Sequence, residues 1–217
     1  MKGNIMLPIV LDVKRLKMAV IGRGALALRR LHMLDEAGCA QVQVFCPPPT
    51  STIKEGEQGD EMDKPLHEQA GERLLMRAPE ADEIGALAVL FIAGLPTQEA
   101  APFADIARAQ NVLVNVEDVT DYCDFHVPAQ VRRGALLLSA STGGQSPALA
   151  RRLKDFLSAR FPAIWRERLE ELATQRTTWR KQGLSSQEIA EQSNQFIDAR
   201  QWLTCPCPLA DKRTEEG

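Results

Sequence analysis

At 217 residues, 44% hydrophobic and 25% charged, the chain has the make-up of a globular protein of one or two domains, long enough to bury a core. Its net charge of -3 excludes a whole-molecule attraction to nucleic acid or to an anionic membrane surface. No apolar run reaches bilayer-spanning length and the first residues lack a signal-peptide core, so a cytoplasmic protein with no membrane partner is the expectation.

Residues 18–21, Met-Ala-Val-Ile, are continuously apolar, as a buried parallel strand is, and they end in Gly22. From Ala25 to Ala37 the spacing turns helical, with Leu26, Arg29, Arg30 and Leu34 giving one buried and one wet face, and Gly38 stops the helix. Val42, Val44 and Phe45 make the next strand, closed by Pro47-Pro48-Pro49. Strand, glycine turn, helix and strand within about thirty residues form a βαβ unit. Residues 50–72 are polar and read as a surface loop or a ragged helix.

Ala86 to Ala93 is the strongest buried-strand signal, followed by a helix over 100–110 and a strand over 112–116. The alternation selects an α/β fold, a Rossmann-type parallel sheet. Further on, Arg132-Arg133-Gly134 reads as a turn and 135–139 as a strand. The Gly/Ser loop from Ser141 to Pro147 leads into a helix over 148–160, with Pro147 suited to its first turn. Phe161-Pro162 breaks that helix. Two more amphipathic helices follow, over 165–182 and 186–202, the second opened by Ser185-Ser186 with Glu188 nearby. Residues 204–217 read as a disordered tail.

The turn Gly22-Arg23-Gly24-Ala25-Leu26-Ala27 has the G-x-G-x-x-A form expected between a strand and a helix that bind a dinucleotide. Its first glycine permits the tight turn and its second lets backbone approach a pyrophosphate. Ala27 keeps the helix close to the strand, and the helix N-terminal N–H groups face the phosphates. The second strand ends in Phe45-Cys46-Pro47, with neither an acid for the ribose hydroxyls nor an arginine for a 2′-phosphate. Gly22→Asp is expected to abolish nucleotide binding in a chain that still folds.

Asn115-Val116-Glu117-Asp118 falls at the carboxyl end of a predicted strand, where open α/β sheets place their ligands. A carboxylate there can act as a base or orient a substrate; the other reading is a turn cap. On an extended strand the two acids point to opposite faces, so one of them lines the cleft. His126 could shuttle a proton or touch iron transiently, but beside a Phe and a Val it reads rather as a packed core or surface residue. Five cysteines, an odd number with three widely spaced, argue against a disulfide framework. Cys205-Pro206-Cys207 has no partner pair to complete a zinc site, and no fixed metal site is expected.

Four stretches together resemble the dehydrogenase and ferrochelatase module of siroheme synthase, the precorrin-2 dehydrogenase family. They are Leu7-Pro8-Ile9, Val20 to Gly24 through Arg30, Asn115 to Asp118 with Phe125 and Pro128, and Ser141-Thr142-Gly143-Gly144-Gln145-Ser146-Pro147 with Leu149-Ala150-Arg151. The resemblance implies NAD-dependent oxidation of precorrin-2 to sirohydrochlorin, in some members followed by Fe²⁺ insertion at the same site. It implies NAD contacts at Gly22, Arg23, Gly24, Ala25, Leu26 and Ala27. Asp118 is the catalytic residue so implied, and Asn115, Thr142, Gly143, Gly144, Ser146 and Arg151 are the substrate contacts.

A homodimer is implied too. The chain then divides into a NAD-binding Rossmann domain over 1–115, a dimerisation region over 116–147, a helical domain over 148–203 and the tail. A substrate with eight carboxylates needs cations, which Arg132, Arg133, Arg151, Arg152 and Lys154 supply. A methyltransferase domain, often fused in this family, is not found in the sequence, so a separate enzyme is expected to supply precorrin-2. Two departures stand out. Arg23 replaces the middle glycine of the turn, its side chain free to reach a phosphate or solvent, and Ala93-Gly94-Leu95-Pro96-Thr97 lacks the family's polar residue after the central strand. The competing reading is a non-catalytic protein that binds nucleotide or tetrapyrrole.

Overall fold

The computed structural model describes residues 6–49 and 58–203. The expected disordered tail, with Cys205 and Cys207, and the start of the polar stretch at 50–72 lie outside the described residues. The chain divides after Val127 into two compact units.

In the first unit five parallel strands build one sheet in the order β3-β2-β1-β4-β5. These are β1 (Lys17–Gly22), β2 (Gln41–Phe45), β3 (Leu74–Leu75), β4 (Val89–Ala93) and β5 (Leu113–Val116). The helices are α1 (Gly24–Glu36), α2 (Gln58–Ala70), α3 (Ala81–Gly85) and α4 (Thr97–Ala109). The central strands are apolar on both sides because each face is covered. Met18, Val20, Val89 and Phe91 pack with Leu31 and Leu34 of α1 and Leu66 of α2. Their alternates Ala19, Ile21, Leu90 and Ile92 pack with Ile84 of α3 and Ala100, Ala104 and Ala107 of α4. Three alanines on α4 let that helix sit close to the sheet.

Several elements differ from the sequence reading. The polar stretch carries a 13-residue helix, α2, despite Pro65, because Leu66 and Ala70 are buried against α1 and β2. The strand at 86–93 starts only at Val89; Ala86 caps α3, a five-residue helix held by a Glu80/Glu83 capping box. Residues 116–127 stay with the sheet. Asp124 accepts from the Val114 N–H at 3.0 Å, and Phe125 packs edge-on against Phe91 with ring centres 5.4 Å apart.

The second unit holds an antiparallel hairpin, β6 (Ala129–Arg133) and β7 (Leu136–Ala140), and helices α5 (Pro147–Arg160), α6 (Trp165–Lys181) and α7 (Ser186–Ala199). Arg132 and Arg133 belong to β6 rather than to a turn. Arg133 is held there because its guanidinium donates to the Phe161 carbonyl at 2.8 Å and to Ser158 Oγ at 3.0 Å. The Ser185/Glu188 capping box opens α7 as its sequence indicates. Phe161, Trp165, Trp202, Phe196 and Trp179 form a chain of edge-to-face and tilted ring contacts across the helices. Among the described residues no helix is long and apolar enough to cross a membrane.

The ends of β1 and β4 interlock through backbone. A Cβ on Gly22 would overlap the Ala93 carbonyl, and one on Gly94 would overlap the Arg23 carbonyl. The Arg23 N–H donates to the Ala93 carbonyl at 3.2 Å. A substitution at Gly22 therefore disturbs the sheet itself, and the expectation that Gly22→Asp leaves the fold intact is corrected. Gly94→Ala is expected to cost about 2–4 kcal/mol of stability. Gly38→Ala, whose Cβ meets nothing within 4 Å, should cost about 1–2 kcal/mol from backbone strain alone. Urea unfolding followed by far-ultraviolet circular dichroism checks both, since Trp165, Trp179 and Trp202 all lie in the second unit and their fluorescence reports on it.

Candidate functional site

The glycine turn opens α1 at the carboxyl end of β1, the central strand. The first N–H groups of a helix have no intrahelical partner and carry partial positive charge, which makes this end an anion site. In the protein the anion comes from α2. Asp63 Oδ1 accepts the Gly24 N–H at 2.5 Å, and its other oxygen lies 4.0 Å from Cys46 Sγ at the end of β2. A dinucleotide pyrophosphate must therefore displace the Asp63 carboxylate to reach the Gly24 N–H.

The Arg23 side chain is half-buried and tied into the fold, which corrects the reading that it lies in solvent. Its guanidinium pairs with Glu99 in the first turn of α4 at 2.5 Å and donates to the Pro47 carbonyl at 3.3 Å. The side chains of the pair are 15% and 18% exposed, so the contact is largely shielded from water. Arg23 thus straps the carboxyl ends of β1 and β2 to α4. At position 94 the backbone admits only glycine, because the Arg23 carbonyl fills the space a Cβ would need. Ala25 and Leu26 lie in the first turn of α1, and Ala27 is fully buried, with its Cβ near Gly22.

At the end of β5 the two acids separate, but by a turn rather than by strand alternation. β5 stops at Val116, and Asp118 adopts φ +63 before the Val119 N–H returns to the Val116 carbonyl. Asp118 is exposed. Glu117 is drawn to α1, where Oε2 lies 3.3 Å from Arg30 Nε and Oε1 lies 3.9 Å from Arg29 Nη1. Arg30 Nε and Glu117 Oε2 lack a hydrogen-bond partner, so this is a charge contact without hydrogen-bond geometry.

Asn115 is buried and its Nδ2 donates to the Phe125 carbonyl at 2.9 Å. Its amide holds the segment that follows Asp118. Beside it, burial pushes the Cys123 thiol pKa up, and Cys123 Sγ donates to the Val116 carbonyl at 3.1 Å. His126 is half-buried.

In the second unit the Gly/Ser loop is folded on itself. Thr142 Oγ1 accepts the Ser146 N–H and donates to the Ser146 carbonyl, both at 3.2 Å. Ser146 Oγ caps α5 by accepting the Leu149 N–H. Gly143 and Gly144 both have positive φ, and Gly144 faces open space. Arg132, Arg151, Arg152 and Lys154 are exposed, whereas Arg133 is consumed inside the unit. The basic cluster is thus four side chains rather than five.

The sequence reading assigned no functional role to Asp63, Cys46, His67 or Glu99. Asp63 and His67 are four residues apart, a helical spacing that becomes visible only once 58–70 is known to be a helix.

The family model described as Putative NAD(P)-binding matches residues 9–129. A siroheme synthase of Pseudoalteromonas atlantica is 32% identical over 155 residues, 71% of this chain and 31% of that protein. One from Methylococcus capsulatus is 32% identical over 157 residues, 72% of this chain and 31% of that protein. Siroheme synthase 1 of Yersinia enterocolitica is 33% identical over 184 residues, 85% of this chain and 35% of that protein. The chain therefore spans about a third of the length of these curated relatives. The solved structure titled "SirC, precorrin-2 dehydrogenase" has the same fold, with a TM-score of 0.66 and 23% identity over 92% of this chain and 93% of its own.

Asp63→Asn keeps the size of the side chain and removes the charge that competes for the helix end. It is expected to tighten NAD binding by roughly threefold to tenfold, or up to ~1.4 kcal/mol. Isothermal titration of both proteins with NAD measures the change; unchanged or weaker binding would show that the nucleotide does not use this N-terminus.

Proposed function

Since the chain belongs to the NAD(P)-binding family matched over residues 9–129, we propose that it oxidises precorrin-2 to sirohydrochlorin, with NAD as the hydride acceptor. The observation that carries this reading is the similarity to siroheme synthases over 71% or more of the chain, joined to a glycine turn that opens α1. Residues 22–27 supply the backbone against the pyrophosphate, and the Asp63 carboxylate yields its place at Gly24.

NAD, when bound, accepts the hydride; the substrate also loses a proton. Asp118 is the proposed proton acceptor, because it is exposed in the turn directly after β5 while Glu117 is held by Arg29 and Arg30. The same carboxylate is proposed to take pyrrole protons if Fe²⁺ enters sirohydrochlorin. Asn115, expected as a substrate contact, is buried with its Nδ2 on the Phe125 carbonyl, and its proposed part is to place this turn. The Thr142–Ser146 loop, with Gly143 and Gly144 at the N-terminus of α5, and Arg151 are proposed to receive substrate carboxylates.

A homodimer belongs to this reading. Leu149, Leu153 and Phe156 of α5 are 51%, 37% and 65% exposed and recur at helical spacing, an apolar stripe suited to a second copy. The hairpin of β6 and β7, half-buried at Leu136, Leu137 and Leu138, lies in the segment expected to dimerise. Leu153→Asp/Phe156→Asp is expected to convert a dimer into a monomer at micromolar concentration by analytical ultracentrifugation. A wild-type monomer would sink the dimer.

The activity test mixes the protein with NAD and precorrin-2 and follows absorbance of the tetrapyrrole and of NADH. Asp118→Asn suits the left-handed backbone at this position, which asparagine tolerates, and removes the basicity. Turnover is expected to fall on the order of a hundredfold with NAD affinity unchanged. Asp121→Asn, an exposed neighbour, is the control. Equal activity of Asp118→Asn and wild type would leave Asp118 a turn residue. A protein that binds NAD but leaves precorrin-2 unoxidised would favour the binding-protein reading.

A further inference from the structure

The residue that blocks the α1 N-terminus also belongs to a second cluster. Cys46 stands at the end of β2, with its N–H fixed on the Leu75 carbonyl at 2.9 Å. Asp63 and His67 lie one helical turn apart on α2, on the face anchored by buried Leu66 and Ala70. One ligand atom from each of Cys46, Asp63 and His67 lies within 4.8 Å of the others. Two ligands of one tetrahedral zinc ion stand roughly 3.5 Å apart, so rotamer adjustments of about 1 Å close the set around a single ion. Cys46 is 2% exposed, and the His67 ring carries a buried Nε2 with no hydrogen-bond partner among the described residues. A buried imidazole nitrogen without a partner is costly, and coordination by a cation would satisfy it. The Gly24 N–H already orients the Asp63 carboxylate from behind, as outer contacts of metal ligands do.

We propose that Cys46, Asp63 and His67 form a binding site for a divalent transition metal ion of the zinc class. The donors are one thiolate, one imidazole and one carboxylate, a set that suits Zn²⁺ and Co²⁺ and disfavours Mg²⁺ and Ca²⁺. Three ligands from the described residues leave a fourth position on a tetrahedral ion. Binding releases the Cys46 thiol proton, so affinity rises with pH. The site lies wholly within the first unit and does not depend on the tetrapyrrole chemistry proposed above.

Cobalt tests it, because a thiolate-to-cobalt charge-transfer band in the near ultraviolet reports sulfur coordination directly. The full-length protein, free of nucleotide, is titrated with Co²⁺. One equivalent is expected to produce that band and tetrahedral visible bands, both removed by Zn²⁺. Cys46→Ser should abolish the charge-transfer band, and His67→Ala should weaken Co²⁺ binding at least tenfold while circular dichroism stays native. Cys205→Ser/Cys207→Ser should leave the band unchanged. A thermal shift with Zn²⁺ that wild type shows and His67→Ala lacks gives a second readout if Cys46→Ser does not fold. Absence of the band in wild type overturns the proposal. So does a band that survives Cys46→Ser or disappears with the Cys205/Cys207 pair.

Discussion

The backbone interlock at the carboxyl ends of β1 and β4 is the constraint on which the candidate site depends. Gly22 lies against the Ala93 carbonyl and Gly94 against the Arg23 carbonyl, with the Arg23 N–H bonded between them. Two central strands can approach this closely only where no Cβ intervenes. The approach fixes the start of α1, the line of its first N–H groups and the exit of Arg23. Arg23 then leaves the turn toward Glu99 and Pro47, tying three elements at this edge of the sheet.

Charge is distributed around this edge so that each helix end or arginine has an internal partner. Asp63 satisfies Gly24, Glu99 satisfies Arg23, and Glu117 lies beside Arg29 and Arg30. These contacts have different exchange costs. Asp63 makes a hydrogen bond that an incoming phosphate can replace in kind, so its displacement is close to a swap of anions. The Arg23–Glu99 pair is shielded, and breaking it strands a charge in low dielectric. Displacing the Asp63 carboxylate therefore costs less than breaking the Arg23 strap.

The second unit has a different physical character. Its helices carry few buried residues, and its rigidity comes from ring contacts, the Arg133 hydrogen bonds to Phe161 and Ser158, and capped helix starts. Leu149, Leu153 and Phe156 are left uncovered on α5. An apolar stripe of this kind on a helix with no buried residue of its own is the feature a second copy would cover.

The sequence by itself determined the parallel sheet, because short continuous apolar runs at 18–21 and within 86–93, set in a strand–turn–helix alternation, read as strands covered on both faces. It determined the glycine turn and the start of α5 as well, since Gly22, Gly24, Ser146 and Pro147 act through local backbone geometry. Tertiary structure alone decided what surrounds the turn. Residues 58–70 are too polar, and too interrupted by Pro65, to declare a helix, and Leu66 and Ala70 stabilise one only against α1 and β2. With that helix formed, Asp63 reaches Gly24 and meets Cys46 from 17 residues away. Arg23 and Glu99 are separated by 76 positions. No periodicity encodes such partners, because long-range pairing is set by strand order and by which helix covers which face.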